Sequence, residues 1–470
     1  MTKPWESLDL IVRSKVNSDG ELENIQISVE TLAQGLRQGT PPLSPPEALR
    51  ERGGVDETRR WRLVLPQTAS KGPNPAELLQ ALTPLHKRRK GLSPLYYSPP
   101  DGLTGDDAAL AWMEAHADVL YAEPHYLLLV GSIDDLPFAL QQCLSLGHTV
   151  GRLSLPSLEA YAQYALRVVR AETNRAPTEG QPVGPGQGFL FLPDLDPATT
   201  LTHNTIVGPL RQRLPARKKG LTVTVLEAAQ ALRYKLLPQL EQLPPASLLV
   251  TGSHGCEHPV RDSIFLGALQ DQAKDLVRGS DIPPLSRCVE DGLVVLFACN
   301  SAGCHGVRPV EPLAADGDGR PRADILAQLP VAMLSHPRGP LAVVGHVDPI
   351  WVVGMRSRDG RLPDAVNHPG LVGFQSMAER LVQGKRLGEA TWPFREAVPR
   401  HLLEYQRLCT VQLEKVQSGK QPLTQADHQA LVYAWIAWND ARCWVILGDP
   451  AVRLRSSPLA TSRSGSVASP

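Results

Sequence analysis

A histidine and a cysteine that each follow a continuous apolar run give this chain the means for nucleophilic catalysis. His254 comes after the run SLLVTGS at residues 247–253, and Cys299 ends the run GLVVLFAC at residues 292–299. The thiolate is the attacking form of cysteine, and an imidazole within reach supplies the base that generates it. We therefore predict that Cys299 is a nucleophile and that His254 is its general acid and base.

Backbone amides beside these two side chains could bind the negative charge that develops on an attacked carbonyl. Gly255 directly follows the histidine, and because glycine has no side chain, its N–H is uncovered and free to turn. We predict that the amides of Gly255 and Cys299 are the oxyanion donors.

The two apolar runs must place these groups at one location for the chemistry to work. Runs of this length and β-branched content are typical of buried parallel strands. In an open α/β sheet the ligand crevice lies at the carboxyl ends of the strands. We therefore expect His254 and Cys299 at the same edge of one sheet.

Strand and helix signals alternate from residue 124 onward, which predicts an α/β protein with a largely parallel sheet and helices on both faces. A smaller N-terminal region precedes it and is interrupted by prolines, which resist regular structure. The predicted organisation is a partly ordered region at 1–120, an α/β subdomain at 124–180, a catalytic domain at 185–455 and a disordered tail at 456–470.

Composition limits the possible partners and the cellular location. The 470 residues include 48 basic and 48 acidic side chains, for a formal net charge of +0, which argues against bulk attraction to nucleic acid or to an anionic membrane. No apolar stretch reaches the length of a membrane span. Seven scattered cysteines agree with a reducing compartment, so we expect a cytoplasmic protein.

The order of the two motifs, a histidine upstream of Ala298-Cys299 with each at the end of an apolar run, resembles the caspase-like clan of cysteine peptidases. That clan includes caspases, gingipains and bacterial CHAT proteases, and the small-residue turn at 300–303 (NSAG) is similar to that of CHAT proteins. The sequence FACN departs from the caspase signature, so caspase-type specificity for aspartate is not implied. The resemblance spans residues 124–454 and includes the segments YLLLVG at 126–131, VGRL at 150–153, GPLAVVGHVDPIW at 339–351 and WVILGDPAVRL at 444–454.

The resemblance implies a cysteine endopeptidase that cleaves a protein substrate through a Cys–His dyad and needs no cofactor or metal. Bacterial relatives of this kind act in defence or regulated cell death. A gasdermin-like pore former or a regulator is the partner that this resemblance suggests.

Two aspartates and a tryptophan are candidates for substrate binding. Asp194 and Asp196 follow a predicted strand upstream of the histidine, where basic-specific members of the clan carry an acidic residue that lines the pocket for the residue before the scissile bond (P1). Trp351 could form an apolar subsite wall. Asp196 before Pro197 is equally typical of a helix N-cap, and Trp351 of a core anchor.

Two other functions stay open from the sequence. One is a caspase-like module used only for binding, which would tolerate loss of Cys299. The other function is a zinc-dependent hydrolase, with ligands drawn from His254, Cys256, His258, Cys299, Cys304 and His305.

A basic loop at 211–220 (RQRLPARKKG) is a candidate for cleavage or movement on activation.

Overall fold

A ten-stranded sheet runs through the part of the chain that the computed structural model describes. The described residues are 13–16, 22–25, 60–174, 187–204, 208–217, 221–257, 264–306, 323–350, 369–418 and 424–454. The predicted tail at 456–470, together with Trp351 and His258, lies outside them.

The strands are numbered along the chain. They are β1 (Arg13–Val16), β2 (Leu22–Ile25), β3 (Arg60–Pro66), β4 (Leu92–Tyr97), β5 (His125–Val130), β6 (Thr149–Leu153), β7 (Gln187–Leu192), β8 (Thr222–Glu227), β9 (Leu248–Gly252), β10 (Cys256–Glu257), β11 (Leu269–Gln270), β12 (Leu276–Val277), β13 (Leu293–Phe297), β14 (Gly303–Cys304), β15 (Ile325–Leu326), β16 (Ala342–His346) and β17 (Trp444–Gly448).

The helices are numbered in the same way. They are α1 (Pro75–Ala81), α2 (Thr83–Arg89), α3 (Gly105–Ala115), α4 (Ala117–Leu120), α5 (Phe138–Leu144), α6 (Leu158–Asn174), α7 (Pro197–Thr202), α8 (Gly208–Arg217), α9 (Arg233–Gln242), α10 (Gln328–Ser335), α11 (Pro369–Val382), α12 (Leu387–Ala390), α13 (Trp392–Ser418) and α14 (Gln425–Arg442).

The central sheet consists of two parallel halves that run in opposite directions. Its strand order is β4-β3-β5-β6-β17-β16-β13-β9-β7-β8. Every neighbouring pair is parallel except β16 and β17, which are antiparallel. The carboxyl ends of β7, β9, β13 and β16 therefore share one edge of the sheet, and β17 begins at that same edge.

Helices cover both faces of this sheet, as the sequence predicts. All of β5 is buried, and its alternate residues belong to different cores. Leu128 belongs to the buried cluster that includes Tyr164 of α6, whereas Leu127 and Leu129 belong to a second cluster that includes Trp112 of α3. Successive strand residues point to opposite faces, so both faces of a continuously apolar strand must be covered by other elements. The predicted α/β class with a largely parallel sheet is confirmed.

The first hundred residues contribute directly to the sheet. β3 pairs with β5, and β4 extends that edge, so strands on both sides of residue 120 belong to one sheet. A buried cluster adds a second connection, because Arg89 contacts both Glu172 and Asp449 at 2.7 Å. The domain boundaries that we infer from the sequence stay a prediction.

A short hairpin lies beside the segment that follows His254. β1 and β2 are antiparallel, and β1 pairs in parallel with β10, with Ser14 opposite Cys256. Among the described residues, no helix combines the length and the apolar character needed to cross a bilayer.

Candidate active site

His254 and Cys299 occupy matching positions on neighbouring strands. β9 and β13 pair in parallel, with Gly252 opposite Phe297. Each of the two functional residues lies two positions beyond that last pair, so the register of the strands brings both to the same edge. The sequence predicts this edge, and the structure places both residues there.

The backbones of the two motifs approach so closely that only glycine fits at position 255. A Cβ atom built on Gly255 would lie 1.7 Å from the carbonyl oxygen of Cys299 and 2.8 Å from its nitrogen. A side chain at this position would therefore require the strand ends to separate. The sequence suggests a role for this glycine in exposing an amide, and the structure adds its role in backbone packing.

Strand β11 holds the histidine segment from the other side. The amide of Gln270 donates to the carbonyl of His254 at 3.0 Å, and the amide of Cys256 donates to the carbonyl of Ala268 at 2.8 Å. Gly255, which is bridged to Leu269 in antiparallel fashion, lies between these two bonds. In such a pair the intervening N–H points away from the partner strand, so the Gly255 amide is directed away from β11.

Asp196 is the hydrogen-bond partner of the histidine. Its Oδ2 lies 2.7 Å from His254 Nε2, and the His254 side chain is 2% exposed. Nδ1 of His254 is buried and has no hydrogen-bond partner in the described part of the chain. The carboxylate thus fixes the ring through one nitrogen, while the other nitrogen is available for proton transfer.

The same aspartate is the N-cap of α7. Its Oδ1 accepts hydrogen bonds from the amides of Ala198 at 2.9 Å and Thr199 at 3.0 Å. Burial alone raises the pKa of Asp196, but the bonds to His254 and to these amides outweigh it and lower the pKa to about 2. The N-cap interpretation of Asp196-Pro197 is therefore correct, and the carboxylate has a second contact that the sequence did not reveal.

A small pocket joins the histidine, the cysteine and α7. It is lined by Ala198, Thr199, Thr202, Ser253, His254, Phe297, Ala298, Cys299 and Ile350.

The loop after β16 covers the thiol. The amide of Ile350 lies 3.4 Å from Cys299 Sγ, its carbonyl oxygen lies 4.0 Å from the same atom, and Cys299 is only 1% exposed. The backbone of Ile350 therefore shields the Cys299 side chain in this conformation.

The other predicted substrate-binding residues have different placements. Asp194 is exposed, its Oδ1 accepts a hydrogen bond from the hydroxyl of Thr200, and its backbone bonds to the side chain of Gln272. It does not line the pocket. Trp351 falls outside the described residues, so its role as a subsite wall stays a prediction.

Possible metal ligands meet at a second location, next to the turn that follows Cys299. In the described part of the chain, His305, Asp348 and Cys443 have ligand atoms within 4.8 Å of one another. Of the zinc ligands considered from the sequence, only His305 belongs to this group. Asp348 and Cys443 join it through the antiparallel pairing of β16 and β17, which the sequence did not predict.

Comparison with solved structures reveals a similar fold. The chain superimposes on the Arg-specific cysteine proteinase gingipain R (RgpB) with a TM-score of 0.50 and 12% sequence identity, covering 88% of this chain and 80% of that one. A complex of the Porphyromonas gingivalis RgpB pro- and mature domains gives a TM-score of 0.48 at 13% identity, over 84% and 79% of the two chains. At 12% identity the likeness to gingipain R shows the fold alone: the chain has a gingipain-like architecture.

Comparison at the sequence level found no match. No family model matches the chain, and no curated protein matches it either.

Proposed function

We propose that this protein is a cysteine endopeptidase in which Cys299 is the nucleophile, His254 the general acid and base, and Asp196 the residue that positions His254. The observation that carries the proposal is the shared strand edge, where the Asp196 carboxylate bonds Nε2 of His254 and where His254 and Cys299 line one pocket. A gingipain-type fold supports the same conclusion.

The reaction would follow the acyl-enzyme route. The Cys299 thiol gives its proton to Nδ1 of His254, and the sulfur attacks the scissile carbonyl carbon. The amides of Gly255 and Cys299 bind the resulting oxyanion. His254 then protonates the leaving amine as the C–N bond breaks, and it later takes a proton from the water that hydrolyses the thioester.

The test is hydrolysis of a fluorogenic peptide library that varies at P1, by the wild-type chain and by Cys299→Ala and His254→Ala. We expect each substitution to lower kcat/KM by about 10³-fold or more, as removal of a nucleophile or its base does in other hydrolases. Iodoacetamide should abolish activity and a chelator should not. Cys409→Ala, which removes a partly exposed cysteine on α13, is the matched control.

Activity that survives Cys299→Ala would contradict the proposal. Activity removed by the chelator would favour the zinc-dependent alternative. If no peptide is cleaved by the wild type while Cys299 still reacts with iodoacetamide, the thiol is reachable and the silent binding module is the better interpretation.

A preference for a basic P1 residue is part of the proposal and depends on Asp194. The Asp196 carboxylate already bonds to His254 and to an amide at the N-terminus of α7. We therefore do not assign it to the substrate side chain. Asp194 is exposed nearby and could approach an incoming cation. Asp194→Asn should lower kcat/KM for peptides with Arg or Lys at P1 and leave apolar P1 peptides unchanged.

The biological role rests on the resemblance to bacterial CHAT and gingipain-like peptidases. We infer a cytoplasmic enzyme that acts on a protein in a defence or cell-death pathway, with a gasdermin-like pore former or a regulator as the substrate class to test first. Incubating wild type and Cys299→Ala with such a protein and measuring intact masses would detect the cleavage.

A further inference from the structure

We propose that His305, Asp348 and Cys443 form a structural site for one divalent transition-metal ion, most suitably zinc, behind the active-site turn. This site is separate from the proposed peptidase chemistry and does not depend on it.

Three different segments supply the donors. His305 follows β14, Asp348 lies two residues past β16, and Cys443 immediately precedes β17. The antiparallel pairing sets His346 opposite Trp444, and the amide of Val347 donates to the carbonyl of Cys443 at 2.9 Å. The end of β16 and the start of β17 are therefore held together by the main sheet and not by a flexible loop.

The three side chains are buried and converge. His305 is 11% exposed at its side chain and Asp348 is 6% exposed, while Cys443 is completely buried. Their ligand atoms all lie within 4.8 Å of one another. Nitrogen, carboxylate oxygen and thiolate sulfur are the donors that zinc uses in four-coordinate sites.

Gln142 orients His305 for metal binding. Gln142 of α5 lies with Oε1 3.2 Å from His305 Nε2 and with Nε2 3.6 Å from Cys443 Sγ. The contact with Oε1 keeps a proton on Nε2 and leaves Nδ1, which faces Asp348, as the nitrogen that would bind the ion. A water molecule would be the fourth ligand. Arg442, the cation next to Cys443 in the chain, pairs with Asp106 at 2.9 Å, so its charge is already matched by a carboxylate.

Metal binding would replace protons with the ion. His305 Nδ1 and Asp348 Oδ2 now share a hydrogen bond of 2.7 Å. With bonds of about 2.0–2.2 Å to zinc, two ligands of a tetrahedral ion lie roughly 3.3 Å apart, so this pair would open by about half an ångström. The thiol proton of Cys443 and the proton between His305 and Asp348 would leave to solvent.

The site would fix the turn that carries the nucleophile. The amide of Asn300 donates to the carbonyl of Asp348, and the amide of Asp348 donates to the carbonyl of Gly303, both at 2.9 Å. A metal bound to the Asp348 and His305 side chains would hold Asp348 against the turn at residues 300–305. It would stabilise the fold without touching the Cys299 thiol.

The test is titration of the metal-stripped full chain with Co²⁺ alone, followed by its visible and near-ultraviolet absorption. We expect one equivalent to bind, with tetrahedral bands and a thiolate-to-cobalt charge-transfer band, and Zn²⁺ to displace it. Cys443→Ser should abolish the charge-transfer band, and Gln142→Ala should weaken binding by about 10–100-fold. Cys409→Ser and Cys299→Ala should keep the full spectrum.

If Cys443→Ser fails to fold, the zinc X-ray absorption spectrum of the wild type decides the point, with one sulfur and three lighter ligands expected. Failure to retain a metal ion, a spectrum without sulfur, or loss of the band in Cys299→Ala in place of Cys443→Ser would overturn the proposal. None of these measurements uses peptide hydrolysis, so their outcome is independent of the proposed peptidase activity.

Discussion

At the scale of single residues, Asp196 has two functions that a matched substitution can separate. One oxygen caps α7 and the other bonds Nε2 of His254. Asparagine caps helices about as well as aspartate, but its amide carries no charge to stabilise an imidazolium. The capping and the positioning of the histidine therefore respond differently to Asp196→Asn and Asp196→Ala.

We predict that Asp196→Asn lowers kcat by about 10²–10⁴-fold while leaving the thermal unfolding temperature nearly unchanged, because the cap survives and the orientation of His254 does not. Asp196→Ala should lose activity and about 1 kcal/mol of stability as well. Peptide hydrolysis and thermal unfolding measure the two effects. Full activity in Asp196→Asn would remove the aspartate from the mechanism.

The pH dependence of stability should also reveal this carboxylate. Its pKa is about 2 in the folded chain, below the usual value of about 3.9 in an unfolded chain. The stabilisation that it provides is therefore present above pH 4 and is lost as the pH falls toward 2. The difference in unfolding free energy between wild type and Asp196→Ala should shrink across that range.

Gly255 sets the distance between the two motifs. Gly255→Ala should abolish activity and lower the unfolding temperature strongly, because its Cβ would lie 1.7 Å from the Cys299 carbonyl oxygen. Gly188→Ala, whose Cβ would meet nothing closer than 3.5 Å, is the control and should be tolerated. Equal effects of the two substitutions would show that the close approach is unimportant.

At the scale of elements, the segment that follows β16 lies over the thiol of Cys299. Ile350 lines the pocket, and its backbone lies against Cys299 Sγ. This contact predicts that the backbone at Ile350 limits the access of reagents to Cys299.

We predict that Ile350→Gly increases the rate at which iodoacetamide modifies Cys299, since it removes the side chain and loosens the backbone over the sulfur. Peptide mapping by mass spectrometry would measure the rate at this cysteine alone. Val331→Gly, a partly buried position on α10, is a control for general loosening. An unchanged rate would mean that Ile350 does not limit access.

At the scale of the whole molecule, a buried polar cluster joins α2, α6 and β3 to the turn that follows β17. Arg89 binds Glu172 and Asp449 together, and the Trp61 indole donates to Asp449 at 3.0 Å. Asp449 is completely buried. The sequence Gly448-Asp449-Pro450 therefore does more than turn the chain, because its carboxylate anchors α2 and β3.

We predict that Asp449→Ala lowers the free energy of unfolding by about 3–5 kcal/mol. The substitution leaves the buried guanidinium of Arg89 with Glu172 but without its second carboxylate. Glu404→Ala, which breaks the exposed pair with Arg407, should change it by less than about 1 kcal/mol. Urea unfolding of both variants gives the comparison. Similar values would show that the buried cluster contributes no more stability than an exposed ion pair.

Local sequence was sufficient to predict the strands of the central sheet that follow residue 124, the sheet class and the edge that carries His254 and Cys299. It did not predict β3 and β4. An apolar run of a few residues specifies a buried strand through its own hydrophobicity, and a strand presents the residue after it at its carboxyl end. The strands that precede Asp196, His254 and Cys299 all obey this rule, so no knowledge of distant contacts was needed to place these residues at one edge.

Tertiary structure alone decided how these residues are combined. The bond between Asp196 and His254, the covering of Cys299 by Ile350 and the meeting of His305 with Cys443 each join positions far apart in the chain. They depend on strand order and direction, above all on the reversal between β16 and β17. Apolar periodicity records which face of an element is buried and not which neighbour buries it, so these contacts leave no signal in a single sequence.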